Sequence, residues 1–242
     1  VTFTFAWSMA RSPITLPKRF SRDLPNPWIS PLSTKFDWRE KSLPPKVLCP
    51  LNFKRNPDQM DKSHRIGVVD YGTGNLRSVV KAFEFLGSKV SILREPERAQ
   101  DMDALVFPGQ GTFDQCMEAL NASGFDELIK GWIEQDRPYF GICLGLQVLF
   151  DKSEEGSLPG LGVFRGEVKR FSLDSSFKIP HMGWNGVRWN LSKDDPVRKN
   201  LEDGDQFYFV HSYHVVEAED GLDTFSTTYG SSFTSGLLSS HC

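Results

Sequence analysis

Residues 65–87 read RIGVVDYGTGNLRSVVKAFEFLG, and the pattern changes character twice within them. Arg65 to Asp70 is a short apolar run, suited to a strand buried on both faces of a parallel sheet. YGTGN follows as a turn, with Asn75 placed to cap a helix. Leu76, Val79, Val80, Phe83 and Leu86 then fall at helical spacing, and Gly87 supplies the stop.

The same kind of unit continues downstream, although no internal repeat is evident. KVSIL (89–93) and ALVF (104–107) read as strands, 113–120 and 125–135 as helices, and PYFGIC (138–143) as a fourth strand. Strands alternating with helices predict an α/β fold: an open, mostly parallel sheet flanked by helices, with a flavodoxin-like core. In such sheets, sites gather where strands end at their carboxyl side. Asp70, Pro108 and Cys143 all stand at such ends. Beyond Phe150 the pattern becomes GLGVFRGEVKRF (160–171), GVRWN (186–190), DQFYFVHSYHVV (205–216) and TFSTTYG (224–230). These short alternating runs predict an antiparallel extension of the sheet.

Upstream of this pattern the chain is different. Residues 1–59 hold 9 of the 15 prolines and show no apolar period. Stretches such as DLPNPWISPLS (23–33) and KSLPPK (41–46) sustain neither a helix nor a central strand. This segment is expected to be a disordered extension outside the domain, which then runs over 60–242. Two origins compete for it: a transit peptide, rich in Arg and Ser, or upstream sequence wrongly joined ahead of Met60. The extension carries 10 Lys/Arg and 4 Asp/Glu, a net of +6, against 18 and 27, a net of −9, in the remainder. So acidic a body argues against non-specific binding of nucleic acid. No apolar run reaches the ~18 residues of a membrane span.

Cysteines stand at 49, 116, 143 and 242. Without a CxxC pair, neither a zinc ribbon nor a disulfide framework is indicated, and no His, Cys and carboxylate set has metal spacing. Cys116 fits a buried small hydrophobe. Cys143 is different, because GICLG (141–145) puts it at a strand-to-helix turn between two glycines. That is the pattern of a nucleophile elbow with cysteine in place of serine. The helix start is expected to lower the thiol pKa, and the Leu144 N–H to face a developing oxyanion. FPGQGTF (107–113) ends a neighbouring strand and offers a second donor, from Gln110 or a glycine. The plainer reading is an ordinary βα turn. GTGN (72–75) lacks a G-x-G-x-x-G phosphate fingerprint. Asp70 is a candidate helix cap, His181 a loop residue, and His211 and His214 are pocket or surface residues.

PGQGTF followed by PYFGICLGLQVLF resembles the class I glutamine amidotransferases. DYGTGNLRSV (70–79), KIPHMGWNGV (178–187) and YFVHSYHV (208–215) narrow the likeness to the glutaminase subunit of imidazole glycerol phosphate synthase, over residues 65–236. The resemblance implies that Cys143 attacks the carboxamide of glutamine, leaving a thioester that water hydrolyses. It implies an oxyanion hole from Leu144, Gln110 and Gly111, and glutamine binding by Gly109, Gln147, His211, Ser212 and Tyr213. It implies that Pro180, His181, Met182, Gly183, Trp184 and Asn185 face a (β/α)₈ cyclase barrel in a heterodimer of histidine biosynthesis. No cofactor, metal, nucleic acid or membrane is expected. The implied location is cytoplasmic, or plastid if residues 1–59 are a transit peptide.

The family pattern completes its triad with His-x-Glu. Histidines here stand at 64, 181, 211, 214 and 241, and none has Glu two residues on. Up to Gly236 the chain resembles the family, whereas LLSSHC (237–242) does not, so a truncated domain with an exposed sheet edge is expected. Alternative readings are a non-catalytic partner of the barrel, or the glutaminase of another class I amidotransferase.

Overall fold

The computed structural model describes residues 2–5 (backbone pairing only), 64–72, 74–195, 197–198, 201–216, 218 and 222–239. Residues 6–63, which include Cys49 and most of the extension expected over 1–59, lie outside the described residues, as do His241 and Cys242. Four parallel strands form the first half of the sheet: β2 (Arg65–Val69), β3 (Lys89–Leu93), β4 (Ala104–Gly109) and β5 (Tyr139–Cys143). Their spatial order is β3-β2-β4-β5, so the chain crosses over between sequential strands. The runs of β2 and β4 are buried on both faces, with Ile66, Val68, Val69, Leu105, Val106 and Phe107 all at most 1% exposed, whereas KVSIL in β3 lies at the sheet edge and buries only Leu93.

Helices cover the two faces. On one, α1 (Leu76–Phe85) turns Val79 and Phe83 onto Ile66, Val68, Val106 and Ile142. On the other, α2 (Phe113–Ser123) and α3 (Phe125–Glu134) bury Phe113, Cys116, Leu120, Ile129 and Trp132 against Val69, Leu105 and Phe107. Gly124 joins α2 to α3 at φ 74, a left-handed value that favours glycine. Cys116 is 1% exposed, as its apolar reading expects. No helix among the described residues is long and apolar enough to cross a membrane.

The second half is antiparallel apart from one short pair. It comprises β6 (Lys152–Ser153), β7 (Glu167–Arg170), β8 (His181–Trp189), β9 (Asp205–His211), β10 (Tyr213–Val216), β11 (Asp223–Tyr229) and β12 (Ser231–Ser239). The single run expected over 205–216 breaks at Ser212, so that β9 pairs with β8 while β10 pairs with β7 and β12. Phe171, Val187, Trp189, Phe209, Phe225 and Phe233 fill the core of this half.

One expectation fails at the N-terminus. Residues 2–5 form a strand, β1 (Thr2–Phe5), rather than standing apart from the domain. It runs parallel to β5 and antiparallel to Gly236–Ser239 of β12. The alternation TFTF suits a strand despite the prolines that follow. The edge of β12 expected to be open is therefore paired over these residues.

Candidate active site

The parallel register sets Gly109 directly across from Cys143, at the carboxyl ends of adjoining strands. Cys143 has φ 58 and ψ −108, a conformation that costs energy for any residue with a Cβ. The surrounding packing holds it there. A methyl group at Gly145 would run into the Phe107 carbonyl oxygen, and one at Gly109 into Leu144. The buried Tyr139 hydroxyl donates to the Gly145 carbonyl at 3.0 Å. The elbow read from GICLG is thus a strained turn clamped against β4.

A pocket of about 410 Å³ opens beside it, lined by Pro108, Gly109, Gln110, Gly111, Ile142, Cys143 and Leu144, with Asn75 and Val79 of α1 and Val210 of β9. That volume suits a small-molecule ligand. Four residues expected to bind substrate are not in its lining: Gln147, His211, Ser212 and Tyr213. Gln147 is buried behind the elbow, its amide donating to the Tyr213 carbonyl over a long 3.4 Å. The Ser212 carbonyl accepts the Phe171 N–H.

Two electrostatic expectations need correction. The helix after Cys143, α4 (Leu144–Gln147), is a single turn, too short for its dipole to dominate. Burial pushes the thiol up to about 11, opposed by a hydrogen bond from the Leu144 N–H and reinforced by Glu155. Burial pushes the Cys116 thiol up as well, to about 12. The Gln110 N–H does not face the pocket as a free donor. It donates to the Tyr71 hydroxyl at 2.8 Å, and that hydroxyl lies 3.1 Å from the Gln110 carbonyl oxygen. Tyr71 was not read from the sequence, although it directly follows the strand-ending Asp70. Asp70 is no helix cap. It accepts the Gly72 N–H at 3.1 Å and pairs with Arg94 at 3.1 Å, while Asn75 takes the N-cap position without a side-chain bond.

Glu155 was also missed. It accepts the Phe113 N–H at the start of α2 at 3.0 Å, and burial holds its carboxyl above the usual range. No hydrophobic period flags it in SEEG (153–156).

The histidines form a separate cluster around Phe171. His181 Nδ1 lies 3.2 Å from His211 Nε2, and His211 Nδ1 lies 2.8 Å from the Tyr213 carbonyl. A carbonyl only accepts, so the network assigns the proton of His211 to Nδ1 and makes its Nε2 the acceptor of the His181 Nδ1–H. The Asn185 amide, 3.4 Å from His181 Nε2, completes the chain as donor. All three of His181, His211 and His214 are shifted down by burial, His211 to about 4.

This fixes a pH response. His211 in the unfolded chain takes a proton near 6.5, and in the folded protein only near about 4. Between those values the unfolded state binds more protons, so acid favours unfolding there. Stability is expected to fall as pH drops from 6.5 towards about 4, by up to about 3 kcal/mol from this residue. Denaturant midpoints for the parent and His211→Gln check this, with the variant expected to show the flatter profile.

The class-I glutamine amidotransferase profile matches residues 67–236. An imidazole glycerol phosphate synthase subunit HisH from Synechococcus sp. (strain JA-3-3Ab) is 44% identical over 170 residues, covering 70% of this chain and 78% of that protein. The chloroplastic imidazole glycerol phosphate synthase hisHF of Arabidopsis thaliana is 41% identical over 71% of this chain but only 29% of its own length. A solved structure described as a glutamine amidotransferase shares the fold, with a TM-score of 0.53 at 17% identity over 71% of this chain and 88% of its own. The chain belongs to the class-I glutamine amidotransferases and, within them, to the HisH-type subunits of imidazole glycerol phosphate synthase.

Proposed function

We propose that this chain is the glutaminase subunit of imidazole glycerol phosphate synthase, with Cys143 as nucleophile. The observation that carries the reading is the strained Cys143 elbow opening onto a pocket across from Gly109. The thiolate attacks the side-chain amide carbon of glutamine. The C–N bond then breaks, and ammonia leaves with a proton supplied by a general acid. Water adds to the thioester to give glutamate and regenerate the thiol. Leu144 and Gly111 present N–H groups to the oxyanion, and Gln110 joins them only when its N–H leaves Tyr71. Gln147, His211, Ser212 and Tyr213 support the pocket from behind. Ammonia passes to a (β/α)₈ cyclase barrel in the heterodimer.

The docking face is the exposed side of the segment Pro180–Asn185, with His181 buried beneath it rather than facing the barrel. Met182 and Trp184 are 62% and 60% exposed on β8, which is unusual for side chains of their size. Trp184→Ala is expected to weaken binding to the barrel by roughly 30-fold or more, the level of an interface hot spot. Titration calorimetry measures it, and unchanged affinity for both Trp184→Ala and Met182→Ala would move the interface elsewhere. The cytoplasm is the location proposed first. The plastid is the second, supported by the Arg- and Ser-rich residues 1–59 and by the relative named chloroplastic.

A further inference from the structure

The histidine cluster is linked to the elbow by more than proximity in sequence. Asn185 and His181 lie on β8, His211 ends β9, Tyr213 begins β10, and Gln147 closes α4 behind Cys143. One chain of hydrogen bonds runs through all five: Asn185 amide to His181, His181 to His211, His211 to the Tyr213 carbonyl, and Gln147 amide to that same carbonyl. Each link requires a fixed direction. With both imidazoles neutral, every donor meets an acceptor. A second proton on either ring turns an acceptor nitrogen into a donor aimed at another N–H.

We propose that His181 and His211 are positioning residues for the elbow, holding the Tyr213 carbonyl where it fixes Gln147 behind Cys143. The inference rests on the reading of Cys143 as nucleophile only for its consequence in catalysis. The relay itself is a statement about the fold.

The surroundings give the relay few competing partners. His181 stacks on Tyr229 at 4.0 Å and on Phe209 at 4.9 Å, and Phe171 and Phe233 close the edges of both rings. Residue exposures of 2% for His181 and 8% for His211 leave little room for water to replace a lost link. The titratable groups facing the pair from the elements packed on it are His214 of β10, Tyr229 of β11 and, acting on His214, Glu154. Burial disfavours the charged form of all three histidines, which keeps the relay neutral at pH 7.

The test is the reactivity of Cys143 towards a dipyridyl disulfide, which remains active in acid, with each rate divided by that of a free thiol at the same pH. At pH 7, His211→Gln keeps an amide that both donates and accepts, so its Cys143 rate is expected within about twofold of the parent. His211→Leu fills the space and breaks the relay, so its rate is expected to rise on the order of fivefold through local opening of α4. The parent is also expected to show such a rise between pH 6.5 and about 4, and His211→Gln to show a smaller one, left to His181 alone. Exchange of the β2 and β4 amides, followed in each sample, separates local opening from global unfolding. Equal rates for the Gln and Leu variants at pH 7 would overturn the proposal, because packing alone would then hold the elbow. An undiminished acid response in His211→Gln would overturn it too. If the relay fails these tests while glutamine still protects Cys143, the positioning role falls and the nucleophile assignment stands.

Discussion

Mixed with a competent cyclase barrel and saturating glutamine, Cys143→Ala is expected to lose glutamate release on the order of 10⁴-fold or more, the usual cost of removing one member of a catalytic triad. Cys143 sits on a strained turn across from Gly109 and lines the pocket. Burial pushes its thiol up to about 11, so attack on the amide needs a partner that takes the proton. The ring nitrogens of His181 and of His211 are engaged in the relay. A parallel binding assay with the barrel separates a chemical defect from a failure to assemble. Turnover that survives Cys143→Ala would place the nucleophile elsewhere.

Gly145→Ala is expected to cost substantial stability at the elbow itself. Its methyl group would overlap the carbonyl oxygen of Phe107 and lie 3.2 Å from the Phe107 ring. Phe107 is fully buried in the central strand β4, so the backbone of either β4 or the elbow must move. Overpacking of this kind costs about 3 kcal/mol and here acts on backbone rather than on a pliable side chain. Gly131→Ala in α3 is the matched control. Nothing but the end of Gln135 lies within 4.0 Å of its added methyl, and alanine favours a helix over glycine by about 1 kcal/mol. Denaturant midpoints at constant slope are expected to fall sharply for Gly145→Ala and to hold or rise for Gly131→Ala.

The parallel half of the fold was readable because its determinants are local. RIGVV, ALVF and YFGIC are short, mostly apolar runs, and Val79–Phe83 or Phe125–Ile129 are spaced for one helix face. The elbow was readable for the same reason, since Cys143, Gly145 and Gly109 carry their steric requirement in their own residue types. Its electrostatics were not. Whether a helix dipole or desolvation sets a thiol depends on helix length and depth, and α4 ends after four residues. Tyr71, Glu155 and the histidine relay were hidden because each works through a partner far along the chain: Gln110 for Tyr71, Phe113 for Glu155, and three strands brought together for the histidines. Residues 2–5 were misjudged because the prolines after them masked a short strand-forming alternation.

Labelling with a glutamine-shaped chloroketone, followed by mass mapping, tests most directly whether Cys143 is the nucleophile of a glutamine site. Cys143 lines the pocket with a thiol at about 11, whereas Cys116 is 1% exposed with a thiol at about 12. Cys49 and Cys242, outside the described residues, are scored separately. The predicted result is an adduct on Cys143 ahead of Cys116, slowed about tenfold or more by free glutamine, as competition at one site requires. Labelling of Cys116 first, or a Cys143 rate indifferent to glutamine, would contradict it.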